Sequence, residues 1–301
     1  MNVTVLSGGV GGAKLVRALA ETLGGERVTT IVNVGDDIEA LGLHVSPDLD
    51  SVLYALAGVA DEERGWGRAG ETWHALETVS ALGGDDWFRL GDRDLGLHLV
   101  RTQALRNGEP LSSVTARVAR ALGVTARLLP ATDDELRTFV VTPAGTFSFQ
   151  EWFVARGHRD DVDAVEVRGV ARPAPGVVDA IAAADLLVIG PSNPYVSVGP
   201  ILAVPALREA LERRRIPCVA VSPLVGGRAV KGPADRMLAR LAGGTTPAHV
   251  ASCYAGLIDA LVIDESDEPG DLDVQPIVTR TLMTDAQSRR RVADATLSVP
   301  V

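Results

Sequence analysis

Residues 1–19, MNVTVLSGGVGGAKLVRAL, pass from a short apolar run, Val3–Leu6, through Gly8-Gly9-Val10-Gly11-Gly12 into a helical pattern over Ala13–Leu23. A strand that breaks on glycines and resumes as a helix is how a βαβ unit opens, and the turn between them is a common phosphate site. Glycines let the backbone approach an anion, and a helix starting near Gly12 aims its free N–H groups at it. Two familiar loops are excluded. The dinucleotide fingerprint needs glycines at its first, third and sixth positions, but Gly9 and Gly11 are followed by Lys14. A Walker A loop needs Gly-Lys-Ser/Thr, and Lys14 stands between Ala13 and Leu15.

Further along, Thr29–Val34, Leu186–Ile189, Cys218–Val221 and Leu261–Ile263 are apolar runs of the kind buried parallel strands carry. Helical patterns follow two of them, over Pro205–Arg214 and Ala234–Leu241. The alternation predicts an α/β fold, Rossmann-like and doubly wound on a mainly parallel sheet. FVVTPAGTFSF, within Thr138–Gln150, predicts a small β-hairpin turning at Pro143-Ala144-Gly145. Residues 60–130, with SSVTARVARALG at 112–123, are expected to form a mainly helical insertion above the C-terminal strand ends. The 301 residues are expected to be one α/β domain. DESDEPGDLD at 264–273 reads as a solvated acidic connection.

A net charge of −10 argues against a nucleic-acid partner and requires any anionic ligand to be held by local donors. Cys218 and Cys253 have neither disulfide nor metal-ligand spacing, as in a reducing cytoplasm. The N-terminus lacks a basic n-region, and no apolar run is long enough to cross a bilayer.

Four further stretches carry chemistry. NVGDD, Asn33 to Asp37, puts two carboxylates at a strand end, where α/β proteins bind ligands. HVSPDLDSVLYAL follows, with Asp48 and Asp50 ahead of an apolar helix that either could also cap. Carboxylates converging beside phosphate suggest Mg²⁺, which takes one or two of them and completes its shell with water and phosphate. WFRLGDRDLGLHLVRTQAL, 87–105, gathers Arg89, Asp92, Arg93, Asp94, His98 and Arg101; mixed charge of this kind commonly pairs at the surface, and a structural role is expected for His98. IGPSNPYVSVGPIL offers Gly190, Ser192 and Asn193 between prolines, and VSPLVGGRAVKGPADRML offers Gly226-Gly227 with Arg228 and Lys231. Three Gly/Pro/Ser-rich turns at the strand ends of one sheet point to a large phosphorylated ligand.

The ordered set GGVGG-AKL, NVGDD, SPDLDSVLY, LGDRDLGLHLVR, LPATDDE, FQEWFV, IGPSNPYVSVGPIL and VSPLVGG-KGPA resembles the 2-phospho-L-lactate transferase family, from residue 1 to LMTDAQSRRRVAD near the end. The resemblance implies transfer of a phospholactyl or phosphoenolpyruvyl group from a guanosine diphosphate-linked donor to the terminal hydroxyl of 7,8-didemethyl-8-hydroxy-5-deazariboflavin, with loss of GMP, in making coenzyme F(420). It implies a Rossmann-like core with a helical insertion, a Mg²⁺ cofactor, a cytoplasmic homodimer, and no nucleic-acid or membrane partner. Asp50 and Arg89, with Asp92, resemble the acceptor-binding positions. Asp37, Asp50 and Asp48 are then the candidate Mg²⁺ ligands, with Asp36 beside them. Asp50 or Asp37 would orient or deprotonate the attacking hydroxyl. Gly9, Gly11, Gly12 and Lys14, together with Ser192, Asn193, Gly226 and Gly227, would hold the guanosine diphosphate moiety. The alternative is a non-catalytic nucleotide-sugar-binding regulator on the same fold, for which SPDLD and LGDRD have no purpose. A dinucleotide-dependent oxidoreductase is the third reading, weakened by the failed fingerprint.

Overall fold

The computed structural model describes residues 1–299. Seven strands form one sheet: β1 (Val3–Ser7), β2 (Val28–Val32), β3 (Arg127–Pro130), β4 (Leu186–Ile189), β5 (Cys218–Val221), β6 (Ala260–Asp264) and β7 (Gln275–Thr279). Their spatial order is β3-β2-β1-β4-β5-β6-β7, and every pairing is parallel. Successive side chains on a strand point to opposite faces. Leu6, Ile31, Leu187, Ile189, Ala220 and Leu261 therefore fill one apolar layer. Val3, Val5, Val28, Val188, Val219 and Val262 fill the other. Helices cover both, which is why the central strands read as unbroken apolar runs.

The expected α/β class is the one observed, with differences at the margins. The second strand ends at Val32 rather than Val34: Asn33 N–H still donates to Ser7 O at 3.1 Å, but the Asn33 side chain then accepts from Gly35 N–H at 2.7 Å and turns the chain out of the sheet. β3 lies inside the stretch expected to be helical, at one edge of the sheet beside β2. β7 occupies the other edge, where Pro276 is tolerated. The first helix, α1, spans Gly9–Leu23 and so starts three residues before Gly12. The remaining helices before β3 are α2 (Pro47–Ala57), α3 (His74–Ala81), α4 (Asp92–Arg106) and α5 (Leu111–Ala121). Here α5 packs on β3, while α4 packs on the short ribbon Ile38–Ala40/Leu43–Val45 that follows β2.

The hairpin forms as expected: Arg137–Thr142 pairs antiparallel with Gly145–Ser148, Thr142 opposite Gly145. Ala164–Arg168 adds a third strand on the other side. Trp152 and Phe149 of FQEWFV pack with Val140, Val162, Val196 and Met237, anchoring this small sheet to the segment after β4.

One feature of the topology places the site. β1 pairs with β2 on one side and β4 on the other, so chain order reverses direction across β1. In open α/β sheets the crevice beyond the strand ends at such a switch point is the ligand site. Among the described residues no helix is long and apolar enough to cross a membrane.

Candidate functional site

The chain leaves β1 at Ser7 and enters α1 through Gly8, directly over the switch point. The glycines there answer first to close packing. A Cβ on Gly11 would sit 2.6 Å from Pro191 O, and one on Gly12 would strike Ser7 Oγ and come within 2.7 Å of Ser192 Oγ. The Ser192 hydroxyl locks the two loops together, donating to Gly8 O at 2.7 Å and accepting from Gly8 N–H at 3.1 Å. Gly12→Ala is accordingly expected to cost about 1–3 kcal/mol as overpacking, read as a lower thermal midpoint, with Gly12→Ala/Ser192→Ala recovering part of the loss. An unchanged midpoint would mean that both hydroxyls swing clear.

The positive end of α1 does meet an anion, and it is a side chain. Asp48, near the start of α2, accepts from Gly9 N–H at 2.7 Å and from Asn33 Nδ2 at 2.9 Å. Asn33 is fully buried and also reaches Val196 O, tying the end of β2 to the segment after β4. Asp36 and Asp37 lie beside Asp48 and are almost wholly buried. Oδ2 of Asp37 is held by Ser46 Oγ at 2.8 Å and lies 3.0 Å from His44 Nε2. Oδ1 of Asp37 and Oδ1 of Asp36 are buried with no hydrogen-bond partner. Burial, then the charge of Asp48, pushes the Asp36 carboxyl well above the usual carboxylate range. Burial likewise raises Asp48 to about 6, against the pull of its bonds to Asn33 and Gly9. Three clustered carboxylates with two unpartnered oxygens form a site short of positive charge. No group of three or more His, Cys, Asp or Glu among the described residues could enclose a metal by itself. The donor set suits a hard cation that takes one or two carboxylates and finishes its shell with water and phosphate, as Mg²⁺ does.

Asp50 is not in that cluster. Two residues on along a helix is about 200° of rotation, so Asp50 faces α4 while Asp48 faces α1. Arg101 grips it with both terminal nitrogens, Nη1 to Oδ2 at 3.0 Å and Nη2 to Oδ1. His98 Nδ1 lies 3.9 Å from the same carboxylate, and Tyr54 donates to Asp94 alongside. Asp94, His98 and Arg101 are all buried, which corrects the surface reading of this charged stretch. Burial takes His98 down to about 4 and lifts Asp94 to about 6, so the imidazole is neutral at pH 7. Arg101 keeps its charge, since Asp50 outweighs the effect of burial.

The other expected contacts are scattered. Arg89 stacks over the Trp73 ring at 4.7 Å, beside a surface hollow lined by Leu76, Glu77 and Asp86. Asp92 is occupied at the start of α3, accepting from His74 N–H at 3.2 Å and Ala75 N–H at 3.1 Å. Asn193 caps the turn after β4 by accepting from Tyr195 N–H at 2.9 Å. The N–H groups of Gly226 and Gly227, both at positive φ, are taken by Asp267 at 3.2 and 2.7 Å. The acidic connection is thus partly structural: Asp267 secures that turn, and Asp264 holds Ser266 and Thr281. Lys14 turns aside to Met283 O at 2.9 Å. Missing from the expected set were Asn33, His44, Ser46 and Arg101. Asn33 stands in the quoted NVGDD, so its place just after a buried strand was the available signal.

The family profile described as 2-phospho-L-lactate transferase CofD matches residues 3–287. The phosphoenolpyruvate transferase of Streptomyces coelicolor is 44% identical over 275 residues, covering 89% of this chain and 86% of that protein. The enzyme of the same name from Nocardia farcinica is 40% identical over 312 residues, covering 99% and 94%. In structure, a UPF0052-family protein from Bacillus halodurans superposes with a TM-score of 0.63 at 19% identity, over 99% of this chain and 98% of that one. That last likeness concerns the fold alone.

Proposed function

From the premise that this chain belongs to the 2-phospho-L-lactate transferase family, we propose that it moves a phosphoenolpyruvyl or phospholactyl group from a guanosine diphosphate-linked donor to the terminal hydroxyl of 7,8-didemethyl-8-hydroxy-5-deazariboflavin, in making coenzyme F(420). The chain is a transferase of a phosphoenolpyruvate or phospholactate group. The names of its relatives favour the enolpyruvyl donor. The observation that carries the site assignment is the carboxylate cluster at the switch point, with Asp36 Oδ1 and Asp37 Oδ1 buried and unpartnered.

In the step we propose, the acceptor hydroxyl oxygen attacks the phosphorus that bears the three-carbon group. The bond from that phosphorus to the bridging oxygen breaks and GMP departs. Such a displacement asks the protein for alignment and charge neutralisation rather than a covalent intermediate. Asp37, Asp48 and Asp36 are the residues that would hold Mg²⁺, which would supply the neutralising charge that lets an acidic protein take an anionic donor. Asp37 Oδ1 is better placed than Asp50 to serve the attacking hydroxyl, either by orienting it directly or through the cation, because Asp50 spends both oxygens on Arg101. Asp50, fixed by that arginine, and Arg89, with Asp92, belong to the acceptor side. Gly9, Gly11, Gly12, Lys14, Ser192 and Asn193 border the donor, and Gly226 and Gly227 join them on release of Asp267. The cytoplasmic homodimer expected from the sequence is part of the same proposal.

The test is a mass-spectrometric assay with Mg²⁺, the deazaflavin, and the enolpyruvyl and lactyl guanosine donors in separate reactions. GMP together with a phospho-adduct from either donor is expected, the enolpyruvyl donor turning over faster. No adduct from either, with nucleotide still bound, overturns the reading in favour of a regulator.

A further inference from the structure

Beside the crevice, along the groove between α1 and α2, lies a hollow lined by Lys14, Arg17, Arg289, Ser51, Gly65 and Trp66 and by two carboxylates, Asp61, which pairs with Arg64 at 3.0 Å, and Glu62. It adjoins the carboxylate cluster, since Ser51 follows Asp48 by three residues on α2 and so shares its face. Its three cations, and Lys231, which does not line it but bonds to its rim at Gly65, differ in how they are satisfied. Arg17 and Arg289 both reach Glu62, at 2.7 and 3.5 Å. The two lysines reach only neutral backbone oxygens. Lys14 Nζ donates to Met283 O at 2.9 Å, and Lys231 Nζ, from the loop after β5, crosses to Gly65 O at 2.8 Å and Arg64 O at 3.4 Å. Among the described residues no carboxylate lies within the 4.0 Å of an ion pair from either ammonium.

The two lysines also feel one another. Partial desolvation, then the Lys14 charge, holds the Lys231 ammonium below the usual lysine range. Like charges brought to one hollow from α1 and from the loop after β5, each parked on carbonyls, are relieved by an oxyanion between them, which forms charge-assisted hydrogen bonds of about twice the neutral strength. Resting on the transferase reading above, we propose that Lys14 and Lys231 form a two-ammonium clamp for an oxyanion of the transferred three-carbon unit, Lys231 exchanging the Gly65 and Arg64 carbonyls for the anion. Both a carboxylate and a phosphate offer that chemistry, and both occur in a phosphoenolpyruvyl unit.

Trp66 lines the hollow and reports on it without turnover. The experiment titrates phosphoenolpyruvate, lactate, inorganic phosphate and GMP, each alone, against the full chain by tryptophan fluorescence, with Trp66→Phe as the control for signal origin. Three proteins are compared: wild type, Lys231→Met and Lys231→Arg. Loss of one charged hydrogen bond is expected to weaken phosphoenolpyruvate about tenfold in Lys231→Met. Lys231→Arg, which keeps the charge, should stay near wild type, and GMP should bind all three alike. A tenfold loss shared by lactate assigns the clamp to carboxylate, and one shared by inorganic phosphate assigns it to phosphate. Equal phosphoenolpyruvate affinity in wild type and Lys231→Met overturns the clamp, as does a wild type that binds none of the three oxyanions. Failure of wild type to bind GMP strikes instead at the donor assignment, so the two readings fail separately.

Discussion

Exchanging Arg101 for methionine is expected to remove about 3–5 kcal/mol of folding stability, the usual cost of leaving one partner of a buried ion pair alone. At a few degrees per kcal/mol the thermal midpoint should fall by roughly 10 °C. Arg101 is 3% exposed and Asp50 5%, so no water replaces the guanidinium. His98 cannot stand in for it: burial already keeps the imidazole neutral at pH 7, and it lies 3.9 Å from the carboxylate. The control is Asp50→Asn/Arg101→Met, which removes both charges and should regain much of the loss. A matching change at Arg17, whose side chain is one-quarter exposed and pairs with Glu21 at 2.7 Å, should cost about 1 kcal/mol or less. If Arg101→Met unfolds at the wild-type midpoint, Asp50 has another partner and its fixed place beside α4 is mistaken.

That pair marks how far the sequence could be read. The central strands declare themselves because burial on both faces makes Val3–Leu6 or Leu186–Ile189 continuously apolar. Arg127–Pro130 and Gln275–Thr279 do not, since edge strands are partly exposed and tolerate proline and polar residues. The charged start of α4 reads in sequence as a solvated helix, yet Asp94, His98 and Arg101 are buried. Its burial is decided by Asp50, 51 residues earlier, a contact that no local pattern encodes. Asp48 and Asp50 read in sequence as one convergent pair, but the helical turn between them points one toward α1 and the other toward α4. The glycine loop was recognisable as a cradle, whereas its filling by Asp48 depends on α2 packing against α1. Family membership was legible from eight ordered motifs. The fold alone could not have given it, because a structural likeness at 19% identity shows the fold and nothing more.

Asparagine at position 37 is expected to lower turnover by about 100-fold while leaving donor affinity within a few-fold. The substitution preserves shape, and with its amide oxygen in the Oδ2 place it still accepts from Ser46 beside His44, so the loss tracks the charge and the Oδ1 acceptor that an NH2 group replaces. A second readout needs no substrate. Asp48 titrates at about 6 in the fold, above the ordinary carboxylate value near 3.9, and Asp36 is also raised. The folded chain therefore holds protons that the unfolded chain has already released, and these groups cost stability progressively as pH rises from about 4 to 6. Above pH 6 the Asp48 part of that cost is complete and its carboxylate is ready for a cation. Mg²⁺ at ten times its dissociation constant should then add about 1.4 kcal/mol, a midpoint rise of roughly 3 °C. The rise should be present at pH 7.5, much smaller at pH 5, and lost in Asp37→Asn. Equal Mg²⁺ stabilisation at both pH values would place the cation away from the raised carboxylates. Full activity in Asp37→Asn would remove this aspartate from both the cation and the hydroxyl, and leave Asp50 to account for the chemistry from within its grip on Arg101.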